Sequence, residues 1–448
     1  MKRNKFKLPP SLKGKVFRAD RYFHEKARSP ASSYLVQNLS HTKRIQTPDG
    51  FYIHRKIKVS LEKEASPEGY VFPGGKSLCL DPLSLGLLSG ERDFKAYDIS
   101  RMIFLDLETT GLAGGTGTYP FLCGIGYFEQ NSFIVEQFFM EDYPYERVML
   151  ESLGQRLKTA EALVTFNGKS FDVPLLITRF IFNRIRVNLE LPHIDLLHPS
   201  RRIWKGAFPD CRLETIEQEF FKLKRKRDIE SHLIPHIYFQ FVRGKSQELM
   251  LPVFDHNAQD IISLGALLSF FCRILSQPES GELTRSAELW GLGRLFLKFG
   301  LIENAIQSLD KALYLSKETE LTETLLFHMG RLYKKMGRFS EANEIWERLF
   351  KRPSSHKITA AVELAKYYEH KAKQPHLARE IVVKVTRELS VSEELEGYIS
   401  GINEARNKEI TPELEKRLRR LEAKIKRQQK RRPNQEKGTK KTKKTKEM

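Results

Sequence analysis

The chain has 448 residues, 40% of them apolar and 29% charged, enough for two or three domains with real cores. Its net charge of +20 gathers at the ends: residues 1–30 hold ten Lys/Arg against two Asp/Glu, residues 411–448 hold sixteen against five, and the body between is nearly neutral. The four cysteines (Cys79, Cys123, Cys211, Cys272) stand far apart with no C-x-x-C, which excludes a disulfide scaffold or a cysteine zinc site and fits a reducing cytoplasm.

In chain order, the start MKRNKFKLPP is basic without the apolar core of a signal peptide. Residues 1–30 read as a disordered basic arm. No run reaches the ~20 apolar residues of a membrane span, so no membrane partner is expected. Residues 31–100 carry strand-like pieces, GFYIHRKIKVSL and EGYVFPGG, and the Leu-rich LCLDPLSLGLLSG. They read as a lead-in segment packed on the next domain.

Residues 101–278 have a mixed α/β pattern. RMIFLDLETT, TYPFLCGIGYFE and SFIVEQFFME predict three meandering strands, with a turn at QNS between the last two. YERVMLESLGQRLK has helical spacing, EALVTFNG predicts a further strand, FDVPLLITRFIFNRI a helix, and DHNAQDIISLGALLSFFCRIL a closing helix. That order implies a mixed central sheet flanked by helices.

From residue 285 to 395 the pattern is purely helical and repeats. Gly293 aligns with Gly330, Gly300 with Gly337 and Ala305 with Ala342, a period of 37 residues. Trp290-x2-Gly293-x2-Phe296 resembles the opening of a tetratricopeptide repeat, which predicts an all-α solenoid that either binds a protein partner or serves as a packing cap on the preceding domain. Residues 411–448 read as a Lys/Arg-rich helix and a disordered tail. Such cationic ends bind polyanions through counterion release, or serve only as solubilising tails.

The chemistry begins at IFLDLETTGL. Asp106 and Glu108 are i, i+2 on one strand, so both carboxylates point to one face. Two acids that close, on a buried strand, need a cation. Oxygen donors suit Mg²⁺ or Mn²⁺. A second cluster, VTFNGKSFDVPLL, holds Asn167, Phe171 and Asp172. Asp172 is either a site acid or a helix N-cap ahead of Pro174. A third, DHNAQDIISL, places His256 and Asp260 at i, i+4 on one helix face.

Together Asp106-x-Glu108, Asn167-x3-Phe171-Asp172 and His256-x3-Asp260 resemble the three motifs of the DEDD (DnaQ-like) 3′–5′ exonucleases on a ribonuclease H-like fold. The middle motif is similar to that of polymerase proofreading domains. The third departs from both common subclasses, which use Tyr-x3-Asp or His-x4-Asp. HIDLLHPSRRIWKG, CRLETIEQEFF and IPHIYFQFVRG narrow the resemblance to the YprB-type ribonuclease H-like proteins, which pair this domain with C-terminal tetratricopeptide repeats and include a bacterial mitomycin repair factor.

The resemblance implies that Asp106, Glu108, Asp172 and Asp260 hold two divalent ions, with His256 as the base. It implies 3′–5′ exonuclease action on DNA 3′ ends in repair, beside a helicase. Thr109, Gly111, Leu112 and Asn167 are then candidate substrate contacts. Arg201, Arg202, Lys205 and the run from Lys222 through Lys224, Arg225, Lys226 and Arg227 are candidate phosphate contacts or an ordinary solvated face. Asp195 is either a supporting acid or a strand-end cap. RNA remains a rival substrate, and a non-catalytic nucleic-acid scaffold a rival function.

Overall fold

Met102–Thr109 (β3) alternates as a strand must. Leu105 and Leu107 enter the hydrophobic core, while Asp106 and Glu108 are its two half-buried positions. Around it the computed structural model describes residues 31–62, 72, 81–90, 99–111, 117–225, 229–245, 247–279, 281–396 and 412–429. The readings of a basic arm over 1–30, of Leu112, Lys226 and Arg227, and of the tail beyond 429 lie outside these residues.

The described residues form two compact units: those up to Thr284 with Arg294–Gly300, and Arg285–Gly293 with those from Leu301 on. The first unit is built on one seven-stranded sheet, whose strands are Thr42–Thr47 (β1), Gly50–Ser60 (β2), β3, Pro120–Glu129 (β4), Ser132–Phe139 (β5), Ala162–Thr165 (β6) and His193–Asp195 (β7). They lie in the order β1-β2-β5-β4-β3-β6-β7. β3, β4 and β5 form the expected antiparallel meander, and β6 and β7 continue it in parallel.

The lead-in segment does more than pack on this domain. β1 and β2 form a hairpin whose second strand pairs with β5, Ile57 opposite Val135, so residues 42–60 are part of the sheet itself. β2 is legible as a strand from its alternating burial, but its partner β5 lies some 80 residues away.

Helices cover the sheet on both faces: Ala31–Asn38 (α1), Pro82–Ser89 (α2), Glu146–Leu157 (α3), Asp172–Phe182 (α4), Leu197–Trp204 (α5), Leu213–Ile216 (α6) running into a π-helical turn at Glu217–Phe221, Ile234–Val242 (α7) and Met250–Ser276 (α8). By length and composition α8 could cross a bilayer, yet 83% of its most apolar window is buried inside the protein. That burial accounts for its composition: α8 is the core helix against β3, β4 and β5. It approaches closely because β4 offers Gly124 and Gly126 beneath it. A Cβ at Gly124 would fall 2.2 Å from Asn257 Oδ1, and one at Gly126 2.5 Å from Ile261.

The remaining helices are Ser286–Phe299 (α9), which contributes to both units, Ile302–Leu315 (α10), Thr319–Lys335 (α11), Phe339–Phe350 (α12), Lys357–His370 (α13), Pro375–Glu396 (α14) and residues 412–429 (α15). Along these helices the 37-residue period has a physical basis. Gly330 lets α11 meet the Trp346 indole of α12, where a Cβ would lie 2.6 Å from the ring. Gly300 and Gly337 turn the chain between helices at φ +76° and +77°, in the left-handed region. α13, α14 and α15 close around Ala361, Ala365, Val382, Leu414 and Leu421.

Candidate active site

Three stretches distant in sequence meet at one cavity of about 420 Å³. β3 brings Asp106, Glu108 and Thr109, the β6–α4 connection brings Asn167, Phe171 and Asp172, and α8 brings His256 and Asp260. Leu107, Phe166, Ser231 and Pro235 complete the walls. Each motif delivers its side chains by local geometry: strand alternation on β3, one helix face on α8, and the first residue of α4.

Asp172 is that first residue, and Phe171 occupies the cap position with no side-chain capping bond. The cap reading for Asp172 therefore fails. Asp195, the last residue of β7, takes up backbone N–H groups instead. Its Oδ1 accepts from Asn167 N at 2.8 Å and Leu197 N at 3.1 Å, and its Oδ2 from Lys169 N at 3.1 Å. This buried carboxylate fixes the connection in which Asn167 holds a left-handed φ of +69°. Thr109 Oγ1 donates to Gly111 O at 2.9 Å, shaping the turn after β3. Gly111 itself does not line the cavity.

The electrostatics are those of acids short of a cation. Burial, then the Asp260 charge, raises the Asp106 carboxyl from 3.8 to about 7. Burial, then Asp106, raises Glu108 well above the usual carboxylate range. Asp172 is raised likewise by burial, then by Asp106 and Asp195. Carboxylates gathered in this way fit a hard divalent cation. Ligand atoms of Glu108, His256 and Asp260 all lie within 4.8 Å of one another. Asp106 and Asp172 stand outside that tight group while lining the same cavity.

Several residues of the site carry no motif of their own. Asn257, fully buried, donates from Nδ2 to Asp106 Oδ2 at 2.9 Å, and its Oδ1 accepts from Gln137 Nε2 at 2.9 Å. Gln137 also donates to Phe254 O at 2.8 Å. Arg55 of β2 reaches Asp255 Oδ1 at 3.1 Å, which ties the lead-in hairpin to the helix of the third motif. The one available signal was polarity out of place: Glu136 and Gln137 interrupt the otherwise apolar FIVEQFF.

Arg225, one of the candidate phosphate contacts, turns inward to Glu217, Asp260 and His256 instead. Lys222 and Lys224 are exposed, as are Arg201 and Lys205, and none of them lines the cavity. Cys123, Cys211 and Cys272 are free thiols.

Residues 103–271 match the RNase H superfamily. The uncharacterized protein YprB of Bacillus subtilis (strain 168) is 32% identical over 291 residues, which cover 64% of this chain and 69% of YprB. The chain belongs with YprB to one family, and its residues 103–271 form an RNase H superfamily domain.

Proposed function

We propose that this protein is a metal-dependent 3′–5′ exonuclease that removes nucleoside 5′-monophosphates from DNA. The superfamily is one of nucleases, so nucleic acid is the substrate class. The observation that carries the finer reading is the convergence of four carboxylates and one imidazole, from three separate stretches, on a single cavity.

Asp106, Glu108, Asp172 and Asp260 would hold one or two Mg²⁺ or Mn²⁺ ions. Such ions supply a water nucleophile at neutral pH and neutralise the charge that develops on the phosphoryl oxygens. His256 takes the proton from the attacking water. Asn167, Phe171 and Thr109 wall the cavity where the terminal nucleotide lies. The helical hairpins, read as tetratricopeptide-type repeats, bind a protein partner. The resemblance to repair nucleases makes a helicase in bacterial DNA repair the partner to test.

The experiment is digestion of end-labelled single strands and duplexes, as DNA and as RNA, with Mg²⁺, Mn²⁺ or EDTA. Mononucleotides released from DNA 3′ ends only with metal, and lost in Asp172→Ala, are the expected outcome. Preference for the RNA strands would reassign the polymer. Binding without any cleavage would overturn the enzyme reading in favour of a scaffold.

A further inference from the structure

Arg225 follows the π-helical turn Glu217–Phe221, just after Lys222 in a left-handed conformation at φ +57°. Its side chain is 7% exposed. The guanidinium grips the fully buried Glu217 with two bonds, Nε to Oε2 at 2.6 Å and Nη2 to Oε1 at 2.8 Å. The same Nη2 also donates to Asp260 Oδ1, and Nη1 lies 3.1 Å from His256 Nδ1. One positive charge thus serves two carboxylates, and one of the two is a proposed metal ligand.

The contact with His256 has a further consequence. A guanidinium carries donors only, so Nδ1 accepts. The proton of the neutral ring then sits on Nε2, 3.4 Å from Asp260 Oδ2. In this arrangement His256 offers no lone pair at Nε2, the nitrogen beside Asp260.

We propose that Arg225 is a resident counter-cation that competes with a divalent ion for Asp260, and so sets the metal concentration at which the site becomes competent. The proposal rests on the metal-dependent reading above and deepens it. Charge favours the exchange. Asp106, Glu108, Asp172 and Asp260 carry four negative charges against the four positive charges of two divalent ions, leaving Arg225 to Glu217. With the ions gone, Arg225 is shared between Glu217 and Asp260. Glu217 keeps the guanidinium within reach throughout, so the exchange is reversible. When Arg225 yields Asp260 and His256 Nδ1, the ring proton can reside on Nδ1 and Nε2 regains its lone pair. Metal entry and preparation of the base become one event.

The test is Mn²⁺ binding by the full chain without nucleic acid, followed by calorimetry and by loss of the free-ion electron paramagnetic resonance signal. Glu217→Gln/Arg225→Gln removes both charges together, so neither is left buried alone. It should bind Mn²⁺ on the order of tenfold more tightly than wild type. Arg225→Lys keeps the charge but cannot hold both partners, and should fall between the two. Asp260→Asn should lose a binding site. If Asp260→Asn loses it while the double variant and Arg225→Lys bind no better than wild type, Arg225 positions Asp260 without competing, and this inference alone fails. If Asp260→Asn binds Mn²⁺ as wild type does, Asp260 is no ligand, and the reading beneath the inference falls as well.

Discussion

Asn257 spends its amide on Asp106 and its carbonyl oxygen on Gln137, so the leading carboxylate of the cavity has one direction already occupied. A carboxylate held in this way keeps its remaining lone pairs aimed at the cavity. Asn257→Leu keeps the branched shape, is larger, and donates nothing. It is expected to slow metal-dependent cleavage by about 10–100-fold, the usual cost of losing a residue that orients a metal ligand. Gln137→Leu acts on Asp106 through Asn257, so single-turnover rates of the double variant should fall no further than those of Asn257→Leu. Gly124→Ala should mimic both, because its Cβ would occupy the place of the Asn257 amide. At this scale the sequence is readable where geometry is local. Asp106 with Glu108, and His256 with Asp260, share faces by strand and helix periodicity alone. Asn257 and Gln137 meet only once β5 lies beneath α8, and no local pattern reports that.

Besides the Arg225 network, two further charge networks join elements of the first unit among the described residues. Arg179 of α4 is fully buried and holds Glu146 of α3, with Nε to Oε1 at 2.5 Å, while Asn183 adds a bond to Oε2 at 2.9 Å. Removing one partner strands the other in a low dielectric, so Arg179→Ala should cost about 3–5 kcal/mol in urea unfolding. The second network centres on Glu136 of β5. It accepts from Tyr127 of β4 at 2.6 Å, pairs with His54 of β2 at 3.0 Å, and accepts from Arg156 of α3 at 3.1 Å. Burial alone would raise this carboxyl. The bonds from His54 and Tyr127 and the Arg156 charge outweigh it, bringing the group from 4.5 down to about 2. A lowered acid stabilises the fold above its unfolded value and loses that contribution as pH falls towards its folded one. Glu136→Gln should therefore melt below wild type at pH 7, and the gap should close between about pH 4.5 and pH 2. A gap that stayed constant with pH would mean that the network acts by packing alone. The same residues explain why the lead-in hairpin has no assignment from sequence: His54 contacts Glu136 across 82 positions, and only that long-range pairing makes β2 part of the sheet.

Across the whole molecule, charge is divided between a cavity lined by carboxylates and ends that carry cations. The cavity gathers carboxylates, which repel a phosphate backbone, while residues 430–448 hold nine Lys/Arg against two Asp/Glu. The 37-residue period is legible because Gly293 and Gly330 sit where a Cβ would strike the next helix and Gly300 and Gly337 sit at left-handed turns, whereas the third such turn uses Lys373 at φ +57°. The cationic end was legible as composition, and composition speaks to affinity more than to chemistry. A chain lacking residues 430–448 should bind duplex DNA more weakly at low salt. Its plot of log affinity against log salt should flatten by about 0.9 for each phosphate that the shortened chain leaves unneutralised. The single-turnover cleavage rate at saturating protein should stay at the wild-type value, because the cavity residues are untouched. Fluorescence anisotropy across a salt series gives the slope, and rapid-quench digestion gives the rate. An unchanged slope would mean that this end does not touch the nucleic acid. A lower rate at saturation would mean that it helps place the strand in the cavity, and the division of labour between ends and body would have to be redrawn.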